Sequence, residues 1–82
     1  MNKNDLKRLV VEVLEYYKGK ANIVEICKFI WSKYNQKLAD SGDLLYTWQY
    51  DMRWAGTQLR KEGIMKPAKE QVNNHWELVQ IN

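Results

Sequence analysis

The sequence predicts an α+β fold, mostly α: three helices and then a C-terminal β-hairpin, in one domain over residues 1–82. Three observations carry this. Apolar residues recur at helical spacing in three separate segments. After Gly63 that period stops and gives way to a short alternating pattern. A chain of 82 residues supplies one core, not two.

The first stripe is Leu6, Leu9, Val10, Val13, Leu14 and Tyr17, which predicts a helix over about 5–18. Asn4 is the expected N-cap, and Gly19 the expected left-handed residue that ends the helix. The second stripe is Ile23, Ile26, Cys27, Ile30, Trp31 and Tyr34, a helix over about 23–35. It opens on Asn22-Ile23-Val24-Glu25, whose spacing suits a capping box. Residues 35–46 then lose the pattern, with Asp40-Ser41-Gly42-Asp43 as the strongest loop signal.

The third helix is expected over about 47–62, with Thr47 as N-cap and Gly63 as the C-terminal stop. Trp48, Met52, Ala55 and Leu59 share its inner face. Its outer face presents Gln49, Tyr50, Arg53, Thr57 and Arg60, flanked by Trp54 and Lys61. The hairpin is expected over about 64–79, from a strand at Ile64-Met65-Lys66 to one at His75–Val79, with Lys66 and Lys69 in or near its loop. Trp48 and Trp76 read as core, while Tyr50 and Trp54 face outward.

Composition limits the function classes. Four Trp and five Tyr against four Gly and one Pro exclude a disordered or collagen-like chain. The single cysteine, Cys27, excludes a disulfide scaffold and a cysteine-rich zinc module, and its place in an apolar stripe makes it a small core residue. No apolar run approaches the ~20 residues of a membrane span, and Met-Asn-Lys-Asn-Asp is not a secretory signal. The expectation is a cytoplasmic protein without a membrane partner. Paired carboxylates, a Gly-rich phosphate loop, a nucleophile elbow and metal-ligand spacing are all missing, so neither an enzyme nor a cofactor is expected. The lone His75 has no partner ligands to hold a metal.

Net charge is +3, from 13 basic and 10 acidic residues. A balance this mild permits a nucleic-acid partner without requiring one, so any basic footprint must come from arrangement. Lys3, Lys7 and Arg8 either lie beside a DNA backbone or are simply solvated, and solvation is the favoured expectation.

Three helices followed by a hairpin is the order of a winged helix-turn-helix domain, in which the third helix enters the major groove and the hairpin, or wing, follows the backbone. The local residues are more specific. Arg53-Trp54-Ala55-Gly56-Thr57-Gln58-Leu59-Arg60-Lys61-Glu62-Gly63-Ile64-Met65, then Trp76-Glu77-Leu78, resembles the N-terminal winged-helix domain of Mrr-type restriction proteins. The matching positions are Trp54, Ala55, Leu59, Gly63, Ile64, Trp76 and Leu78, and helix one and the Ser41-Gly42 loop also suit that family. A departure is Asn74-His75, where the family usually has Gly before the wing Trp. The family's nuclease motif, an Asp followed by Glu/Gln-x-Lys, does not occur in these residues, so cleavage does not carry over.

The resemblance implies a stand-alone module for double-stranded DNA, in a small regulator or a restriction or phage-defence accessory. Gln49 and Arg53 are then the expected base readers, since Gln pairs with adenine and Arg with guanine in the major groove. Tyr50, Thr57 and Arg60, with Lys66 and Lys69 in the wing, are the other expected DNA contacts. A protein-interaction module or phage-encoded inhibitor on the same scaffold is the alternative, favoured by the aromatic third helix, and a homodimer also stays open.

Overall fold

The computed structural model describes residues 1–67 and 75–79. The elements run α1 (Lys3–Tyr16), β1 (Lys20–Asn22), α2 (Ile23–Ala39), α3 (Leu44–Lys61) and β2 (His75–Glu77). The fold is mostly helical, with three helices and a small antiparallel sheet of two strands.

Helix α1 starts two residues earlier than expected because Asn2, not Asn4, is the N-cap. Asn2 Oδ1 accepts from the Asn4 and Asp5 amides at 2.9 and 3.3 Å, and Asp5 Oδ2 accepts from the Asn2 amide at 2.9 Å. Only Asn2 has an acid three residues on; from Asn4 that position is Lys7, which has no acceptor to complete the box. The helix also ends two residues early. Lys18, at φ 62°, takes the place just past the cap expected of Gly19, and Gly19 follows it at φ 102°. The Lys18 amide donates to the Glu15 carbonyl and the Gly19 amide to Leu14, the bond pair of a Schellman ending.

Strand β1 has no counterpart in the sequence prediction. Lys-Ala-Asn carries no β-former, and the strand exists through its partner: Lys20, Ala21 and Asn22 pair with Glu77, Trp76 and His75. Asn22 closes the expected capping box on α2, with Asn22 Oδ1 and Glu25 Oε1 each accepting from the other's amide at 2.8 and 2.9 Å.

Helix α2 runs four residues past the expected end. Gln36-Lys37-Leu38-Ala39 are good helix formers, and Leu38 extends the stripe of Ile26 and Ile30 as a fully buried residue. The loop shrinks to residues 40–43, where Gly42 has φ 65°. Helix α3 therefore begins at Leu44, and Thr47 is not a cap. The Leu44, Leu45 and Tyr46 amides donate to the carbonyls of Ser41, Gly42 and Asp43, which satisfies the first turn without a side-chain cap. Gly63, at φ 77°, ends α3 as expected, with Ile64 donating back to the Leu59 carbonyl.

Strand β2 is bonded along both edges. On the side away from β1, Met65 bridges Leu78, the Lys66 amide donates to Glu77, and the Val79 amide donates to Ile64. The base of the expected hairpin is thus paired, although 64–66 is no strand and joins through the isolated Met65 bridge, and the regular strand is 75–77, not 75–79. Lys69 and the rest of 68–74 lie outside the described residues.

The core is the meeting of α1, α2 and α3 with this sheet. Leu6, Val10, Val13, Ile26, Ile30 and Ala55 are fully enclosed, and Trp48 and Trp76 are buried as expected. The Trp76 indole lies directly on α3 at Gly56: a Cβ there would stand 2.8 Å from Cη2 and 2.9 Å from Cζ3. Glycine weakens a helix interior, but at this position it lets the sheet close against α3.

Candidate nucleic-acid interface

The outward face of α3 follows from the helical period. Tyr50, Arg53, Trp54, Thr57, Gln58 and Lys61 fall at i, i+3, i+4, i+7, i+8 and i+11, and together they line one open groove of about 490 Å³. Tyr50 is 77% exposed, and Arg53, Thr57 and Lys61 are also exposed. Thr57 Oγ1 donates to the Arg53 carbonyl at 3.2 Å, which leaves its lone pairs outward. Trp54 is half-buried, and the Lys3 ammonium from α1 sits 4.4 Å from its ring centroid.

Four basic side chains outside this groove are held in ion pairs. Lys7 is paired with Glu62, Arg8 with Asp5, Lys33 with Glu12, and Lys66 with Glu77 at 2.9 Å. Those pairs hold the carboxyls of Asp5, Glu12 and Glu77 below the usual carboxylate range: Asp5 chiefly through the Asn2 amide, Glu12 through Lys33 and then Tyr34, Glu77 through Lys66. Among the described residues, no carboxylate is paired with Arg53, Lys61 or Lys3. Asp51, the acid within α3, accepts from Thr47 Oγ1 at 2.9 Å. The groove is therefore lined by two cations and no carboxylate, beside two aromatic rings, and a third cation, Lys3, stands over one of those rings.

The expected site residues divide. Tyr50, Arg53 and Thr57 are brought together. Gln49 faces the other flank of α3, in a second groove with Cys27, Lys28, Trp31, Leu45 and Trp48. Arg60 is half-buried, with its guanidinium 5.3 Å from the Trp76 ring centroid, and the loss of water around it lowers its pKa. It braces α3 against β2 and does not line the basic groove. The Lys66 charge is matched by Glu77, and Lys69 is outside the described residues.

The earlier start of α3 also moves Gln49 from its first turn to its second and Arg53 from its second to its third. Tyr46, 84% exposed, now leads the line Tyr46, Tyr50, Arg53, Thr57. The packing of α1 on α3 brings Lys3 to the Trp54 ring, a neighbour that the pattern of α1 alone does not give.

The second groove is walled by two indoles. Trp31 stacks on Trp48 with centroids 6.3 Å apart and planes 9° from parallel, and Cys27 Sγ lies 4.0 Å from Met52 Sδ. Burial pushes the Cys27 thiol up, so it stays protonated near neutral pH and is a poor nucleophile. Among the described residues, no cluster of His, Cys, Asp and Glu has the makings of a metal site, and no helix is long and apolar enough to cross a membrane.

Compared with known proteins, the chain matches no family model, no curated sequence and no solved structure.

Proposed function

We propose that this chain is a winged helix-turn-helix module that binds double-stranded DNA, with α3 in the major groove and the 64–79 hairpin along the backbone. The observation that carries the reading is the groove on α3, which Arg53 and Lys61 line with no carboxylate among its lining residues, and beside which Lys3 stands over the Trp54 ring. An unmatched cation row on an exposed helix favours a polyanion, because DNA binding gains its affinity from phosphate charges and released counterions.

The helix order supports the same reading. Helices α2 and α3 are joined by residues 40–43, a turn of the length and glycine content usual between the two helices of a helix-turn-helix. The likeness of 53–65 and 76–78 to the Mrr-type N-terminal domain points to a small regulator or a restriction or defence accessory. In this account Arg53 reads a guanine edge, Tyr50 and Thr57 bond phosphate or sugar oxygens, and Lys61 adds charge. Titration of labelled duplex DNA across a salt series tests it, with Arg53→Ala as the first variant.

A second reading is supported by the Trp31–Trp48 groove. Trp31 is 46% exposed and stacked beside Leu45 and Cys27, and Tyr46 projects nearby in sequence on α3. Exposed Trp and Tyr are common anchors of protein interfaces. On this reading the chain is an interaction module for a protein partner, and DNA titration returns no binding.

A further inference from the structure

We infer that Lys3 is a backbone-phosphate contact of the α3 interface and that Trp54 is the residue that positions it; the inference rests on the DNA-binding reading above. Lys3 belongs to the first turn of α1, fifty-one residues before the Trp54 that it meets on α3. Its ammonium lies 4.4 Å from the Trp54 ring centroid, and Trp54 lines the groove with Arg53 and Lys61.

The type of partner decides what this contact does. A carboxylate would neutralise the ammonium and would have to be displaced by an incoming phosphate. An indole attracts the cation through its ring quadrupole and leaves the charge in place. It also restrains a side chain with four rotatable bonds, which lowers the entropy lost on binding.

The surrounding acids are engaged elsewhere. On α1, Asp5 is held by Arg8 and the Asn2 amide, and Glu12 by Lys33 and Tyr34. On and just after α3, Asp51 accepts from Thr47 and Glu62 pairs with Lys7. Glu15 lies twelve residues along α1 from Lys3, about 18 Å at the helical rise. Lys3 therefore extends the positive row of α3 onto a second element, which fixes how the domain is oriented on a duplex as well as how tightly it binds.

The test is duplex-DNA affinity measured across a salt series for the unaltered protein, Lys3→Ala, Lys3→Arg, Trp54→Leu and the Lys3→Ala/Trp54→Leu double variant. Losing one phosphate contact flattens the log–log salt slope by about 0.9, and Lys3→Arg restores it. Trp54→Leu weakens binding, and the double variant is no weaker than the poorer single one, as for two residues acting through one contact. Circular dichroism melting checks that the Trp54→Leu protein is folded; if it is not, Trp54→Phe takes its place.

An unchanged slope in Lys3→Ala, beside weakened binding in Arg53→Ala, overturns the inference and leaves the DNA reading intact. Additive losses in the double variant overturn the positioning role of Trp54. Failure of the unaltered protein to bind DNA overturns the reading itself, and the inference with it.

Discussion

The indole of Trp76 rests on the backbone of α3 at Gly56, so close that a single added carbon would stand 2.8 Å from the ring. The other side of the relationship is Arg60, one turn on, whose guanidinium lies 5.3 Å from the centroid of the same ring. Together they lock β2, and with it the base of the hairpin, to the helix that carries the candidate interface.

Gly56→Ala is therefore expected to destabilise the protein, although alanine is the better helix former by about 1 kcal/mol. Overpacking a close contact costs about 1–3 kcal/mol, and Trp76 has the α3 backbone directly beneath it. The net expectation is a loss of about 1 kcal/mol, read as a lower urea midpoint with an unchanged m-value. A rise in the midpoint would mean that the indole has room to move.

Lys18→Gly is expected to do the opposite. Lys18 holds φ 62° at the end of α1, a conformation that costs a residue with a Cβ about 1 kcal/mol and costs glycine little. Against the greater freedom glycine has in the unfolded chain, the gain should be about 0.5 kcal/mol, visible in the same urea experiment. Lys18→Ala serves as the control and should give no such gain.

The ion pairs give the protein a defined acid limit. Asp5, Glu12 and Glu77 have carboxyls held below their ordinary values, so each contributes stability that is present above about pH 4 and lost as pH falls through its folded value. Thermal midpoints measured from pH 6 down to pH 2 should fall over that window. Glu12→Gln should flatten part of the decline, since Glu12 accepts from both Lys33 and Tyr34. At the alkaline end the sign reverses. Lys33 and Tyr34 are raised chiefly by Glu12, so their contribution is intact near neutrality and disappears above about pH 10.

Much of this fold was legible in the chain because the signals are local. The Asn22–Glu25 box, the Gly63 stop and the inner face of α3 depend on residues within a turn or two of each other. The misplaced starts have local causes as well. Asn2 and Asn4 are equal as caps until Asp5 is counted, and Thr47 resembles a cap only if Leu44 and Leu45 are read as loop.

The rest is tertiary. Lys20–Asn22 is a strand because Trp76 and its neighbours lie beside it, and no periodicity in three residues announces that. The outward stripe of α3 could be drawn from the helical wheel, which placed Tyr50, Arg53 and Thr57 together. The wheel carried no information on what stands beside α3. It therefore could not show Arg60 drawn onto Trp76, Gln49 turned toward Trp31, or Lys3 brought over Trp54.

The central claim is that the α3 groove is a DNA interface, and a salt-series titration of the protein with labelled duplex DNA tests it most directly. Arg53 and Lys61 in the groove, with Lys3 over the Trp54 ring, set the expectation: binding weakens with salt along a log–log slope of about −3, and Arg53→Ala both weakens binding and flattens that slope by about 0.9. A protein that binds no duplex more tightly than about millimolar at low salt, or one whose binding is indifferent to Arg53, would contradict the account.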